Sequence, residues 1–154
     1  MRVQSPDELS DPVRIRAARA SEAPAIRALL AECSLPIDGA PEDAESFFVA
    51  AQVDRIVGCA GLERHETDGL LRSLAVAPEF RARGLAARLC AEVERRAREL
   101  GASRLFLLTE TAEAWFHARG YRALERSAAP GAIAASREFA GVCPAAAVLM
   151  ARAP

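Results

Sequence analysis

The sequence predicts an α+β fold: a mixed, mostly antiparallel sheet of about seven strands, with a central parallel βαβ unit and helices on both faces. Three observations predict it. Three strand-like runs follow one another between residues 47 and 76, parted only by turn residues at Asp54 and at Asp68-Gly69. A long amphipathic helix pattern then runs from Gly84 to Leu100. After it, Leu105–Leu108 is an unbroken apolar strand, the pattern of a position covered on both faces.

Each element has its own signal. Val13–Ala18 reads as the first strand. Ser21 is placed to cap a helix with Pro24 in its first turn and Ile26, Leu29 and Leu30 on one face, ending near Cys33. Asp38–Ser46 reads as a second, short, acidic helix. Phe47–Gln52, Ile56–Arg64 and Leu70–Val76 form an antiparallel meander. In the long helix, Leu85, Leu89, Val93, Ala97 and Leu100 recur at helical spacing. Glu92/Arg96 and Glu94/Arg98 are expected as i,i+4 pairs on its solvent side, and Gly101 stops it as a C′ glycine. A strand, this crossover helix and Leu105–Leu108 make the parallel unit. Ala112–Arg119 is a further helix stopped by Gly120. Tyr121–Glu125 and Ala147–Ala151 are the last strands, with a helical stretch, Pro130–Gly141, between them. Residues 1–12 read as a polar, disordered lead and 13–154 as one domain.

Composition narrows the function classes. A chain of 154 residues can bury roughly 70% of its unfolded surface, so it needs no metal or disulfide to fold. Lys plus Arg is 20 against 21 for Asp plus Glu, and this balance argues against a nucleic-acid binder. No apolar run reaches the ~18–20 residues of a membrane span, and the first residues lack a signal peptide's apolar stretch. Cys33, Cys59, Cys90 and Cys143 form no C-x-x-C pair, so buried, unpaired thiols in a cytoplasmic setting are expected. The expected partner is a small molecule, and the expected assembly is a monomer or homodimer.

The most informative segment is Leu74-Ala-Val-Ala-Pro-Glu-Phe-Arg-Ala-Arg-Gly-Leu-Ala86. A strand ends at Val76, a short loop carries Arg81 and Arg83, and Gly84 opens the long helix. The first turn of a helix leaves N–H groups unpaired and presents partial positive charge. A diphosphate can be held there, because Gly84 and the small Ala86 let it approach the main chain. A plain strand-to-helix turn with solvated arginines is the competing reading.

Arg81-x-x-Gly84-x-Ala86, after an L-A-V-x-P strand end and before an amphipathic helix, resembles the acetyl-CoA signature of the GNAT acetyltransferase superfamily. The later apolar strand, the Ala112 helix and Gly120-Tyr121 follow that superfamily's order. Leu70-Leu-Arg-Ser-Leu-Ala-Val76, Thr111-Ala-Glu113, Ser136-Arg-Glu-Phe139 and Cys143-Pro144 resemble, more narrowly, its arsenic-resistance N-acetyltransferase branch, which is similar to amino-acid N-acetyltransferases.

The resemblance implies acetyl-CoA as cosubstrate and no metal. Leu74, Ala75 and Val76 would lie along the pantetheine arm, with one N–H polarising the thioester carbonyl. Arg81, Ala82, Arg83, Gly84, Leu85 and Ala86 would hold the diphosphate. Thr109 and Phe116 would stand near the thiol end. Two departures are visible. Phe116 occupies the place of a frequent tyrosine acid, and Thr109 that of a common asparagine. His117 is then a candidate acid, although helix geometry turns it about 100° from Phe116, and a surface histidine is the alternative. Glu63 is a candidate base acting through water, with a solvated strand-end glutamate as alternative. His65 reads as a turn residue.

The acceptor would be a small amine. Strand alternation places residues 70, 72, 74 and 76 on one face, so Arg72 points with Leu74 and Val76, while Ser73, a candidate catalytic hydroxyl, points the other way. Arg72 is suited to an acceptor's oxyanion, with an internal salt bridge to Glu63 as alternative. Arg137 is a second candidate on the acceptor side. Direct acetyl transfer to a small amine, such as an amino acid or an arsenic- or phosphorus-containing glutamate analogue, leads the functional readings. An acyl-CoA sensor without turnover and a thiol-based arsenical binder are the alternatives.

Overall fold

The structure, a computed structural model, describes residues 11–37, 46–137, 139 and 146–154. In chain order the elements are β1 (Val13–Ala17), α1 (Ala23–Glu32), β2 (Phe47–Gln52), β3 (Arg55–His65), β4 (Asp68–Val76), α2 (Leu85–Glu99), β5 (Leu105–Thr109), α3 (Glu113–Ala118), β6 (Arg122–Leu124), α4 (Gly131–Ala134) and β7 (Val148–Arg152). The strands form one sheet in the order β1-β2-β3-β4-β5-β7-β6. Among the described residues only β4 and β5 pair in parallel; the other pairs are antiparallel. This is the predicted α+β sheet. The expected helix at Asp38–Ser46 falls outside the described residues but for Ser46. The expected lead does too, except at its end, where Gln52 Nε2 donates to the carbonyl of Asp11.

Local chemistry explains the boundaries. Ser21 does not cap α1. It lies in a 3-10 turn, Ala20–Glu22, that leads into the helix. Glu22 does the satisfying instead: its carboxylate accepts from the Arg19 N–H at 2.7 Å and from both terminal nitrogens of Arg16 at 2.7 and 2.8 Å. An ionised carboxylate that meets an arginine and a main-chain N–H makes charge-assisted hydrogen bonds. At the far end of α2, Gly101 has φ +76, its N–H bonds Arg98 O, and Ala102 N–H bonds Ala97 O. That is the paired closure which a C′ glycine allows. The β3–β4 turn lies at Glu66-Thr67 rather than Asp68-Gly69, which pair within the hairpin as His65↔Asp68 and Arg64↔Gly69.

The faces of the sheet follow from one glycine. A Cβ at Gly58 would stand 3.1 Å from Leu89 Cδ1, so α2 covers the face to which residues 58, 60 and 62 point. Leu71 and Val76 share that face through their pairing with Leu62 and Gly58. Cys59, Gly61 and Glu63 point to the opposite face with Ala75, Arg72 and Leu70. There Leu70 packs with Phe106, Leu149, Ala151 and Ile133 of α4. Helices thus cover both faces.

Glu94 corrects the expected solvent side of α2. It is buried, its carboxylate 3.0 Å from Arg119 and 3.7 Å from Arg152. Arg152 also donates to Arg119 O at 2.6 Å, so α2, the end of α3 and β7 are tied together. The exposed pairs on α2 are Glu92–Arg95, Arg95–Glu99 and Arg96–Glu99, not Glu92/Arg96 and Glu94/Arg98.

Candidate active site

The centre of the sheet opens. β4 and β5 pair at Gly69↔Leu105 and Leu70↔Phe106 and nowhere beyond. β5 continues to Thr109 by pairing with β7 on its other edge. Residues 71–76 of β4 therefore have main-chain groups directed toward a neighbour that has moved away. A bulge coincides with the separation. Gly61 faces Arg72 and Cys59 faces Ala75, so Ser73 and Leu74 together oppose the single residue Ala60. Ser73 has φ +55, a strained backbone for serine. The bulge also overturns the simple alternation: Arg72 shares its face with Leu70 and Ala75, not with Leu74 and Val76. Ala75 and Val76 are buried, so main chain is what they offer the gap.

Past β4 the chain makes a 3-10 turn, Pro78–Phe80, and reaches the start of α2. Ala82 and Gly84 have φ +61 and +77, and among the described residues no side chain caps the helix. A Cβ at Gly84 would meet nothing within 4 Å. The first N–H groups of α2 thus emerge beside open space, as anion binding requires. Leu85 anchors this turn in the core, so it too presents only main chain outward. The arginines fold onto their own loop: Arg81 Nε donates to Val76 O at 3.0 Å, and Arg83 donates to Glu79 O at 3.3 Å while lying over Phe80. An open strand edge that leads to an uncapped helix start fits a long ligand with an amide-bearing arm and a diphosphate, the chemistry of coenzyme A.

The chain matches the Acetyltransferase (GNAT) family over residues 15–121. It belongs to the GNAT acetyltransferase family. An amino-acid acetyltransferase of Ralstonia nicotianae is 40% identical over 81 residues, 51% of this chain and 18% of that protein. N-acetylglutamate synthase from Neisseria gonorrhoeae, solved with coenzyme A and N-acetyl-glutamate, superposes with a TM-score of 0.76 at 26% identity, covering 94% of this chain and 35% of the synthase. Rv2747 from Mycobacterium tuberculosis, solved with CoA and NLQ, shares the fold at a TM-score of 0.74 and 23% identity, covering 92% of this chain and 99% of Rv2747. The present chain thus spans about a third of the synthase and matches under a fifth of the Ralstonia protein.

The remaining GNAT site candidates are placed as follows. Thr109 Oγ1 accepts from the Ala112 N–H at 3.1 Å and so sets the entry to α3. Phe116 is buried in the main core, edge-on to Trp115 and Tyr121. His117 is exposed on α3, with Arg122 Nη1 3.2 Å from its Nδ1, so it takes the surface reading. Tyr121 is fully buried, and burial raises its hydroxyl pKa, with the Glu94 carboxylate adding to the shift. Arg152, which lies over the Tyr121 ring, pairs in register with Leu105 at the closed end of the β4/β5 pair. Tyr121 therefore does not stand in for the missing tyrosine at the gap. Arg137 is exposed, and the neighbouring Ser136 is buried, donating to Ile133 O at 2.6 Å.

Glu63, Arg72 and Ser73 do come together. Arg72 Nη1 forms an ion pair with Glu63 Oε2, and Arg72 Nε donates to Ser73 Oγ at 3.3 Å. His65 Nε2 lies 3.0 Å from Glu63 Oε1. His65, expected as a turn residue, ends β3 beside the turn and shares a face with Glu63.

Three of the four thiols lie among the described residues. Cys59 points to the face opposite α2, whereas Cys90 lies within α2, and burial pushes both up to about 12. Cys33 ends α1 and is half-buried, its Sγ 3.5 Å from Val76 O. Cys143 falls outside the described residues.

Proposed function

We propose that this chain transfers an acetyl group from acetyl-CoA to the amine of a small amino-acid acceptor. The observation that carries this is the open edge of β4 beyond Leu70, leading directly to the uncapped start of α2. Main-chain groups of Leu74, Ala75 and Val76 would hold the pantetheine arm. The N–H groups of residues 82–86 would hold the diphosphate, and the side chains of Arg81 and Arg83 would exchange their present loop contacts for it. When bound, acetyl-CoA supplies an activated thioester. An N–H at the Ser73–Leu74 bulge would polarise its carbonyl in the manner of an oxyanion donor. With Phe116 in place of a tyrosine acid, the departing thiolate would take its proton from water, since a thiol has a pKa of about 8.5.

Arg72 is assigned to the acceptor's anionic group. It would share its planar guanidinium between Glu63 and that anion, the geometry arginine uses for carboxylates. The amino-acid acetyltransferases among the relatives, and the N-acetyl-glutamate in the gonococcal synthase, support an amino-acid acceptor. Arsenic- and phosphorus-containing glutamate analogues carry a comparable oxyanion and belong in the same class. A thiol-release assay with acetyl-CoA and a panel of amino acids, these analogues included, tests the proposal. Turnover with at least one α-amino acid is expected. No turnover above background across that panel and a wider set of amines would remove it.

A further inference from the structure

We propose that Gly61 is a positioning residue for the acceptor: by lacking a side chain it lets the Phe47 ring and the Arg72 stem close over β3, and so sets where the Arg72 guanidinium is presented. This rests on the transferase reading above, in which Arg72 holds the acceptor's anionic group.

Phe47, Gly61 and Arg72 form one row across adjacent strands, paired as Phe47↔Gly61 between β2 and β3 and as Gly61↔Arg72 between β3 and β4. Residues paired in register point to the same face, so the row lies on the face opposite α2. It also lies at the gap. Arg72 follows Leu70 and Leu71 on β4, just past the point where β4 and β5 part, and adjoins the bulge at Ser73 and Leu74. A Cβ at Gly61 would stand 2.8 and 2.9 Å from Cζ and Cε2 of Phe47, and 3.2 Å from Cγ of Arg72. The tip of the ring and the start of the stem therefore occupy the space that any other residue would fill. Phe47 and Arg72 are both buried, so displacing either one disturbs packed neighbours. The far end of the arginine is fixed by polar contacts: Nη1 pairs with Glu63, and Nε donates to Ser73 Oγ at 3.3 Å. Stem and head are thus set together. An arginine held in advance loses less freedom on meeting an anion, and its planar fork recognises a carboxylate only in the right orientation. Gly61 acts through Arg72 and touches no reacting atom.

The test compares Gly61→Ala, Phe47→Leu and the double variant. In Gly61→Ala the KM for the amino-acid acceptor should rise about tenfold, as a misplaced binding group would cause, while acetyl-CoA affinity measured by calorimetry stays unchanged. Leucine shortens the side chain that the new methyl meets. The double variant should therefore have a lower acceptor KM than Gly61→Ala, a coupling that independent sites do not show. Independently of turnover, the 15N–1H resonance of Arg72 Nε in the free protein should shift in Gly61→Ala and move back in the double variant. An unchanged acceptor KM in folded Gly61→Ala, an equal loss toward acceptor and acetyl-CoA, or a double variant no better than Gly61→Ala would each overturn the assignment. If Gly61→Ala does not fold, Phe47→Leu alone decides: loss of the ring beside the stem should raise the acceptor KM, and an unchanged KM overturns the proposal. Wild-type turnover alongside any overturning result removes the positioning role and leaves the transferase reading. Absence of wild-type turnover removes both.

Discussion

Leu70 and Phe106 are the last residues of β4 and β5 to face each other, and beyond them the two central strands part. A parallel pair in mid-sheet normally continues for its full length, because each strand's N–H and C=O groups need partners. Here β5 finds its partners on β7, whereas the corresponding edge of β4 has no strand partner among the described residues.

Gly84→Glu tests the far end of that edge. A Cβ there meets no neighbour, so the fold tolerates the change at the modest cost of a non-glycine residue at φ +77. A carboxylate near a bound diphosphate should weaken coenzyme A by about 3 kcal/mol, roughly 100-fold, as measured by calorimetry. Gly84→Ala is the control and should change affinity far less. Equal affinity in a folded Gly84→Glu protein would sink the site assignment.

Arg72→Lys tests the acceptor clamp. Lysine keeps the charge and loses the planar fork. The KM for the amino-acid acceptor should rise about tenfold, by the loss of one charge-assisted hydrogen bond, while that for acetyl-CoA moves less than about twofold. Parallel changes in both constants would contradict a role confined to the acceptor.

Glu22 should make stability depend on pH in the acid range. The Arg16 guanidinium, with the Arg19 N–H beside it, lowers its carboxyl from the ordinary value of 4.5 to about 2. A depressed carboxylate adds stability above the unfolded pKa, and that stability is lost as pH falls from about 4.5 toward 2. The pair lies near solvent, so its worth is on the order of 1 kcal/mol. Glu22→Gln should lower the urea midpoint at pH 7 by a corresponding amount, and the difference from wild type should shrink by pH 3. A difference constant with pH would rule out the ionised pair as its source.

Val53 should be a site of gain. It opens the two-residue turn between Gln52 and Arg55, is 72% exposed, and has φ +53. A β-branched residue in the left-handed region costs about 1–2 kcal/mol. Val53→Asn should therefore raise Tm by about 2–4 °C. A lower Tm would count against the strain account.

Much of this was legible before any coordinates. The Phe47–Gln52 strand, the long helix, its C′ glycine and the short apolar strand each follow from periodicity and turn chemistry within a few residues. The strand-to-helix loop proposed to hold the diphosphate was legible as a loop because Gly84 and Ala86 stand at fixed spacing from a strand end. The cap at Ser21 was misread because the chain already turns at Ala20–Glu22, where Glu22 accepts from the Arg19 N–H and from Arg16 of β1. Glu94 was misplaced because helix periodicity shows which positions share a face but not what that face meets. Arg119 and Arg152 supply the opposite charges from α3 and β7.

The sequence by itself determined the order of elements, the crossover helix and the loop suited to a diphosphate, since these depend on neighbours within a few residues. Only the tertiary structure decided where β4 and β5 part, that Ser73 forms a bulge which turns Arg72 to the Leu70 face, and that Arg72, Glu63 and His65 connect. Register between strands is a contest among whole-sheet pairings, and a one-residue shift sends every later side chain to the other face. No local pattern in the chain encodes the winner of that contest.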